Sequence, residues 1–258
     1  MAKRTARRMA RRMNEHANYG EDSNVRRLFD DPKWSPLEDP KHPEPTDQRD
    51  QKYRKNIRAQ NASQQKMLDA IDEAPLVFAV GAAGTGKTYL AIAKAVEALD
   101  SGAVRRIILS RPAVEAGESL GFLPGDMEEK LSPYLRPLYD ALCDRISSKR
   151  LKALLAEGVI EIAPIAYMRG RTLNNAYIVI DEAQNCTYGQ LKMLLTRLGW
   201  NSSMVVTGDP AQSDLLPGMS GLADVAEKLE AIENVRTIRF TREDVVRHPL
   251  VAEMIDAL

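Results

Sequence analysis

An α/β domain built on a mainly parallel sheet is what this sequence predicts, and three observations predict it. Short continuous apolar runs such as Leu76-Val77-Phe78-Ala79-Val80 read as strands buried on both faces. Between them lie stretches of helix formers with apolar residues at helical spacing, as in YLAIAKAVEALD. A glycine-rich loop joins the first such run directly to that first helix. Strand–helix alternation along the chain then argues for three layers, with helices on both sides of the sheet.

Composition narrows the function classes. The chain has 258 residues, 44% hydrophobic and 28% charged, ordinary for a globular protein of one or two domains. Lys+Arg and Asp+Glu both total 36, so no overall basic excess announces nucleic acid. Two cysteines, Cys143 and Cys186, exclude a disulfide framework and a multi-cysteine zinc module. His16, His42 and His248 are scattered without metal-ligand spacing. No run reaches the ~18 apolar residues of a membrane helix, and no apolar core of a secretory signal follows the start. The expectation is a cytoplasmic protein with no membrane partner.

The neutral total hides a division. Fifteen of the 36 basic residues but only 10 of the 36 acidic ones fall in the first sixty positions. Arg4, Arg7, Arg8 and Arg11 recur at i, i+3, i+4 and i+7, a stripe able to grip phosphates, with a solvated tail as the plainer reading. DDPKWSPLEDPKHPEP, from Asp30 to Pro45, places five prolines in sixteen residues, which is linker composition. Residues 1–55 are therefore expected to form a largely disordered extension, and 56–258 the folded domain. There is no internal repeat.

The glycine loop carries the firmest chemistry. Gly81-Ala82-Ala83-Gly84-Thr85-Gly86-Lys87-Thr88 fits G-x-x-x-x-G-K-[ST], in the required order of strand, loop and helix. Glycines let successive N–H groups turn toward one point and form an anion nest, and the following helix adds its positive end. Lys87 is expected to reach the β- and γ-phosphates, the Thr88 hydroxyl to bind Mg²⁺, and Tyr89 to flank the nucleotide.

A second acidic centre follows another apolar run. Tyr177-Ile178-Val179-Ile180 ends in Asp181-Glu182-Ala183-Gln184. An Asp at the end of a buried strand is placed to hold the metal, and Glu182 beyond it to polarise the attacking water. A further run, Ser203-Met204-Val205-Val206-Thr207, leads into Gly208-Asp209-Pro210-Ala211-Gln212. Gln212 is expected to orient water or sense the terminal phosphate. Arg106-Ile107-Ile108-Leu109 and Val235-Arg236-Thr237-Ile238 read as two more strands. Ala113 to Leu142, with several glycines and prolines, reads as a long irregular connection whose charge is not basic.

GAAGTGKT, IVIDEAQN and VVTGDPAQSDL, in this order, resemble motifs I, II and III of superfamily-one helicases. With LSRPAVEAGESLGFLPGDMEEKLSPYLRPLYDAL, IAPIAYMRGRTL, LLTRLG and DVVRHPLV, the chain from about Asn61 onward resembles the PhoH family of phosphate-starvation-inducible ATPases. The resemblance implies a RecA-like P-loop NTPase domain that binds ATP and Mg²⁺ and hydrolyses ATP. It further implies a homo-oligomer, with a hexameric ring among its forms, and an RNA or single-stranded nucleic-acid partner. Longer relatives carry a nuclease domain ahead of this ATPase, and too few residues precede the loop here for one to be expected. Family motifs also imply an adenine-recognition glutamine before the first strand. Gln64 is the better register and Gln65 the other, while Met67 stands where the family commonly has an aromatic. One RecA-like unit must take any arginine finger from its own surface or a neighbour. Arg111, Arg169, Arg171, Arg242 and Arg247 are the candidates, and Arg247 in RHP is the one placed at the catalytic centre.

Overall fold

A computed structural model describes residues 57–112 and 127–246, the side chains of 127–133 excepted. The arginine stripe, the proline-rich segment, Arg247 and His248 lie outside the described residues. Helix α1 (Ala62–Glu73) opens the domain; the Asn61 side chain caps it by accepting from Gln64 N, satisfying one free first-turn N–H. Strand β1 (Leu76–Gly81) leads through the glycine loop into helix α2 (Lys87–Asp100). There follow β2 (Arg106–Arg111), α3 (Met127–Cys143), α4 (Ser148–Ala156), β3 (Ile160–Pro164) and β4 (Ala176–Ile180). The rest is α5 (Tyr188–Leu195), β5 (Ser203–Gly208), α6 (Leu222–Leu229) and β6 (Val235–Phe240).

The six strands form one sheet in the order β3-β2-β4-β5-β1-β6, and every pairing is parallel. Parallel neighbours need crossovers, and these carry the helices onto both faces. Alternation along β1 shows the result. Val77 and Ala79 face the layer that holds Leu68, Leu90 and Leu138. Phe78 and Val80 face the layer that holds Leu191, Leu194, Leu222 and Val225. Leu76 lies opposite Met204 of β5 on one side and Val235 of β6 on the other. This is the three-layer, RecA-like α/β arrangement that the sequence predicts.

Two features depart from the sequence reading. Strand β3 stands where no strand is expected: Ile160-Glu161-Ile162-Ala163-Pro164 is short, carries a charge and ends in proline, marks of the sheet edge it occupies. The connection expected to be irregular from Ala113 to Leu142 is helical from Met127 onward. Leu135, Leu138, Tyr139 and Leu142 are buried at helical spacing, so the packed stripe overrides the proline signal at Pro133 and Pro137. Its earlier part, 113–126, lies outside the described residues.

Parallelism brings the C-terminal ends of all strands to one edge. Because β5 lies between β1 and β4, the segments leaving these three strands meet there. Gly81 fixes the exit of β1: at φ 127°, an added Cβ would lie 1.9 Å from the Phe240 carbonyl oxygen of β6. That position therefore demands glycine on both conformational and steric grounds. Gly81→Ala should lower the stability of the folded chain by at least about 2 kcal/mol, read as a shifted urea midpoint.

Candidate nucleotide site

The glycine loop, the end of β4 and the loop after β5 enclose a cavity of about 280 Å³. Ala83, Gly84, Gly86, Lys87, Thr88 and Tyr89 form one wall, and Asp181, Glu182, Gly208, Asp209 and Gln212 the other. Lys87 is 7% exposed, and its Nζ donates to the Gly81 and Ala82 carbonyls at 2.7 Å and to Thr85 Oγ1 at 3.3 Å. Burial pushes its pKa below the ordinary lysine value, while the carboxylates of Asp209, Glu182 and Asp181 pull the other way. A buried ammonium facing three carboxylates is a site arranged around charge.

Asp181 is almost fully buried. Its Oδ1 accepts from Thr88 Oγ1 at 2.6 Å and from Thr207 Oγ1 at 2.7 Å, joining α2, β4 and β5 at one atom. The two residues expected to hold the metal are thus in direct contact. Glu182 has left-handed backbone angles, φ 53° and ψ 40°, a conformation costing a non-glycine residue of order 1–3 kcal/mol. Its Oε2 accepts from Gln184 Nε2 and its Oε1 from Arg111 Nη2 at 3.3 Å.

Asp209 lines the cavity and ties its parts together, a position that the sequence reading leaves as part of a polar cluster. Its Oδ2 accepts from the loop N–H of Ala83 at 3.1 Å and its Oδ1 from Ala211 N at 3.0 Å. Its own N–H donates to Gln184 Oε1 at 3.0 Å. The glycine loop, the β5 loop and the segment after β4 are therefore linked in one chain of hydrogen bonds. A carboxylate ahead of a proline in a turn is ordinary, so only the fold brings its partner Ala83 within reach. Gln212 lines the cavity as expected, its N–H donating to Asp209 O at 2.9 Å.

The structure places Gln64 against the glycine loop. Gln64 is 4% exposed and does not line the cavity; its Nε2 donates to Thr85 O at 3.0 Å and its Oε1 accepts from Gln60 N at 2.8 Å. It braces the glycine loop from behind, because α1 packs its first turn against that loop instead of opening it to the cavity. Gln65 is exposed and donates to Asp69, and Met67 is wholly buried in the core. Among the arginines, Arg171 is spent on Glu161 of β3 through two bonds of 2.5 and 2.7 Å, which raise its pKa. Arg169 and Arg242 are exposed. Arg247 follows Val246, whose N–H donates to Gly84 O at 3.0 Å. Cys186 is buried and its thiol is pushed up to about 12, so it is no nucleophile at neutral pH.

The donor set tests the fit of a metal. One threonine hydroxyl and one carboxylate converge, both hard oxygen ligands, and no group of three or more His, Cys, Asp or Glu able to hold a metal occurs among the described residues. That sparse oxygen set fits Mg²⁺, which keeps waters and completes its shell with phosphate oxygens, better than a metal needing an all-protein cage.

Glycine loop, buried lysine, threonine–aspartate contact and adjacent glutamate on a parallel sheet define a P-loop nucleotide-binding protein. The family described as PhoH-like protein matches residues 56–258, and the chain belongs to that family. It is 56% identical over 204 residues to the PhoH-like protein of Bacillus subtilis (strain 168), covering 79% of this chain and 64% of that one. It is 58% identical over 204 residues to the PhoH-like protein of Mycobacterium tuberculosis (strain ATCC 25618 / H37Rv), covering 79% and 58%. With Protein PhoH of Escherichia coli (strain K12) the identity is 48% over 212 residues, covering 81% and 60%. The matched region thus spans less than two thirds of the length of these curated relatives. Among solved structures, the large terminase of a thermophilic bacteriophage aligns with TM-score 0.47 and 13% identity, over 76% of this chain and 49% of that one.

Asp209→Ala should leave the Ala83 and Ala211 N–H groups without their acceptor and cost about 1–3 kcal/mol. A thermal melt showing no loss against the parent would remove Asp209 from the framework of the loop.

Proposed function

We propose that the chain hydrolyses ATP with Mg²⁺ and couples turnover to remodelling of RNA or single-stranded nucleic acid. The observation that carries the hydrolysis is the meeting of Lys87, Thr88, Asp181 and Glu182 in one cavity. The loop N–H groups and the Lys87 ammonium bind and neutralise the terminal phosphates. The Thr88 hydroxyl and Asp181 would hold Mg²⁺, which would supply charge neutralisation to the phosphates. Glu182 accepts the proton of the attacking water, and Gln212 on the opposite wall from the glycine loop orients that water. The nucleic-acid part rests on the family resemblance and on the arginine stripe of the first residues.

A homo-oligomer is part of this proposal, in which an arginine of a neighbouring subunit would complete the nucleotide site. Arg169, Arg242 and Arg247 remain the groups able to serve a neighbouring subunit. A protein partner is the second reading, and one observation favours it. Leu216 and Met219 stand 76% and 51% exposed on the loop that follows Ser213 and Asp214. Ser213 Oγ donates to Gln184 O, and Asp214 exchanges two bonds of 2.8 Å with Asn185, so this apolar loop is tied to the segment after Glu182.

Lys87→Ala should abolish ATP binding, measured by equilibrium titration with a fluorescent ATP analogue; unimpaired binding would sink the assignment of the loop. Glu182→Gln should still bind ATP while turnover falls about 10²–10⁴-fold. ATP hydrolysis by the full chain with and without single-stranded RNA, at low and moderate salt, separates the two readings. Stimulation that weakens with salt supports a nucleic-acid motor, and turnover indifferent to RNA supports the protein partner.

A further inference from the structure

Arg111 is the last residue of β2, the strand beside β4. The ladder between the two strands continues one step past β4, with Asp181 N donating to Ser110 O at 2.8 Å. The backbone of Arg111 is therefore anchored directly beside the two acidic residues. Its guanidinium bridges them: Nη2 lies 3.3 Å from Glu182 Oε1, and Nη1 lies 3.8 Å from Asp181 Oδ2. The side chain is only 20% exposed. Gln184 holds the remaining oxygen of Glu182 from the other side. The geometry points to Arg111 as a positioning residue that acts within its own subunit, fixing the Glu182 carboxylate relative to Asp181 for attack on the nucleotide.

Several physical points carry this assignment. Adjacent carboxylates repel, and a cation shared between them holds them at a set separation in a partly desolvated pocket where charges are weakly screened. A guanidinium is planar with several donors, so one group can address both acids, whereas an ammonium is a point charge. Glu182 already carries the cost of a left-handed backbone, so its side chain is aimed by the main chain and held at both oxygens. An arginine committed in this way to its own carboxylates is not a finger for a neighbour. That removes Arg111 from the candidates expected to act across a subunit boundary and gives it a different task.

This inference rests on the ATPase reading, and its test uses the full chain with Arg111→Ala, Arg111→Gln and Arg111→Lys. For each, kcat, the ATP dissociation constant and the melting temperature are measured, and Arg111→Ala is mixed with Lys87→Ala in excess. Arg111→Ala and Arg111→Gln should lose about 10- to 100-fold in kcat, since a misplaced base costs rate and not binding. Their ATP affinity should stay within about twofold of the parent, and Arg111→Lys should recover part of the rate. Mixing should restore nothing beyond the sum of the two components. Full turnover in Arg111→Ala and Arg111→Gln, rescue on mixing, or parallel losses of affinity and melting temperature in all three variants would each overturn the assignment. Absence of turnover in the parent chain would overturn the hydrolysis reading and this inference with it. A fast parent beside an equally fast Arg111→Ala overturns the inference alone.

Discussion

A single atom, Asp181 Oδ1, holds the functional edge of this molecule together. It accepts the hydroxyls of Thr88 and Thr207, and so binds the first turn of α2 to the ends of two central strands. Charge-assisted hydrogen bonds of this kind, made in a nearly dry setting, are stronger than their exposed counterparts and leave little freedom of orientation. Everything nearby is then placed by reference to it. Glu182 follows by one residue, Arg111 is set opposite by the strand ladder, and Thr88 is fixed at the start of α2 beside Asp181. The same two hydroxyls satisfy Oδ1, and the Arg111 guanidinium 3.8 Å from Oδ2 helps to offset the buried charge.

Asp209 provides a second, complementary tie. Where Asp181 joins side chains to strands, Asp209 ties the glycine loop to the segment after β4, reaching Ala83 on one side and Gln184 on the other. A change at the glycine loop is thereby connected to Glu182 and, through Ser213 and Asp214, to an exposed apolar loop. Neither tie depends on long flexible side chains such as lysine, which keeps the entropic cost of order low. The position of Gln64 fits this pattern. It backs the glycine loop with a buried amide, so the loop is held from below as well as from the cavity side.

How much of this was legible beforehand follows from what local sequence can encode. The strands starting at Leu76, Arg106, Ala176 and Ser203 show as apolar runs because burial in a parallel sheet demands them, whereas the edge strand at Val235 is half exposed and carries Arg236 and Arg239; the glycine loop shows because its backbone demands glycine. Strand β3 is obscured by Glu161 and Pro164, which an edge allows and a centre does not. The helical part of the 113–142 segment is obscured by its prolines, a local signal that packing of Leu135, Leu138 and Leu142 outweighs. Lys87, Thr88, Asp181 and Glu182 are readable as a set since their spacing follows fold geometry. The roles of Asp209 and Arg111 are not, because each depends on which strands become neighbours. Strand order is a property of the whole chain, and no window around either residue contains it. The contact of Gln64 with Thr85 O is hidden for the same reason, since it depends on how α1 packs against the glycine loop.

The pairing of Leu76 with Met204 and Val235 has a consequence for how the molecule comes into being. On a ribosome, β1 and the phosphate loop emerge well before either of the strands that flank β1. For most of the synthesis of this domain, a strongly apolar strand has two open edges, the state most prone to unwanted pairing. Contacts this distant in sequence also close slowly. The glycine loop is thus among the last parts to be completed in space, and a nucleotide could act as a folding ligand only after nearly the whole domain has been made.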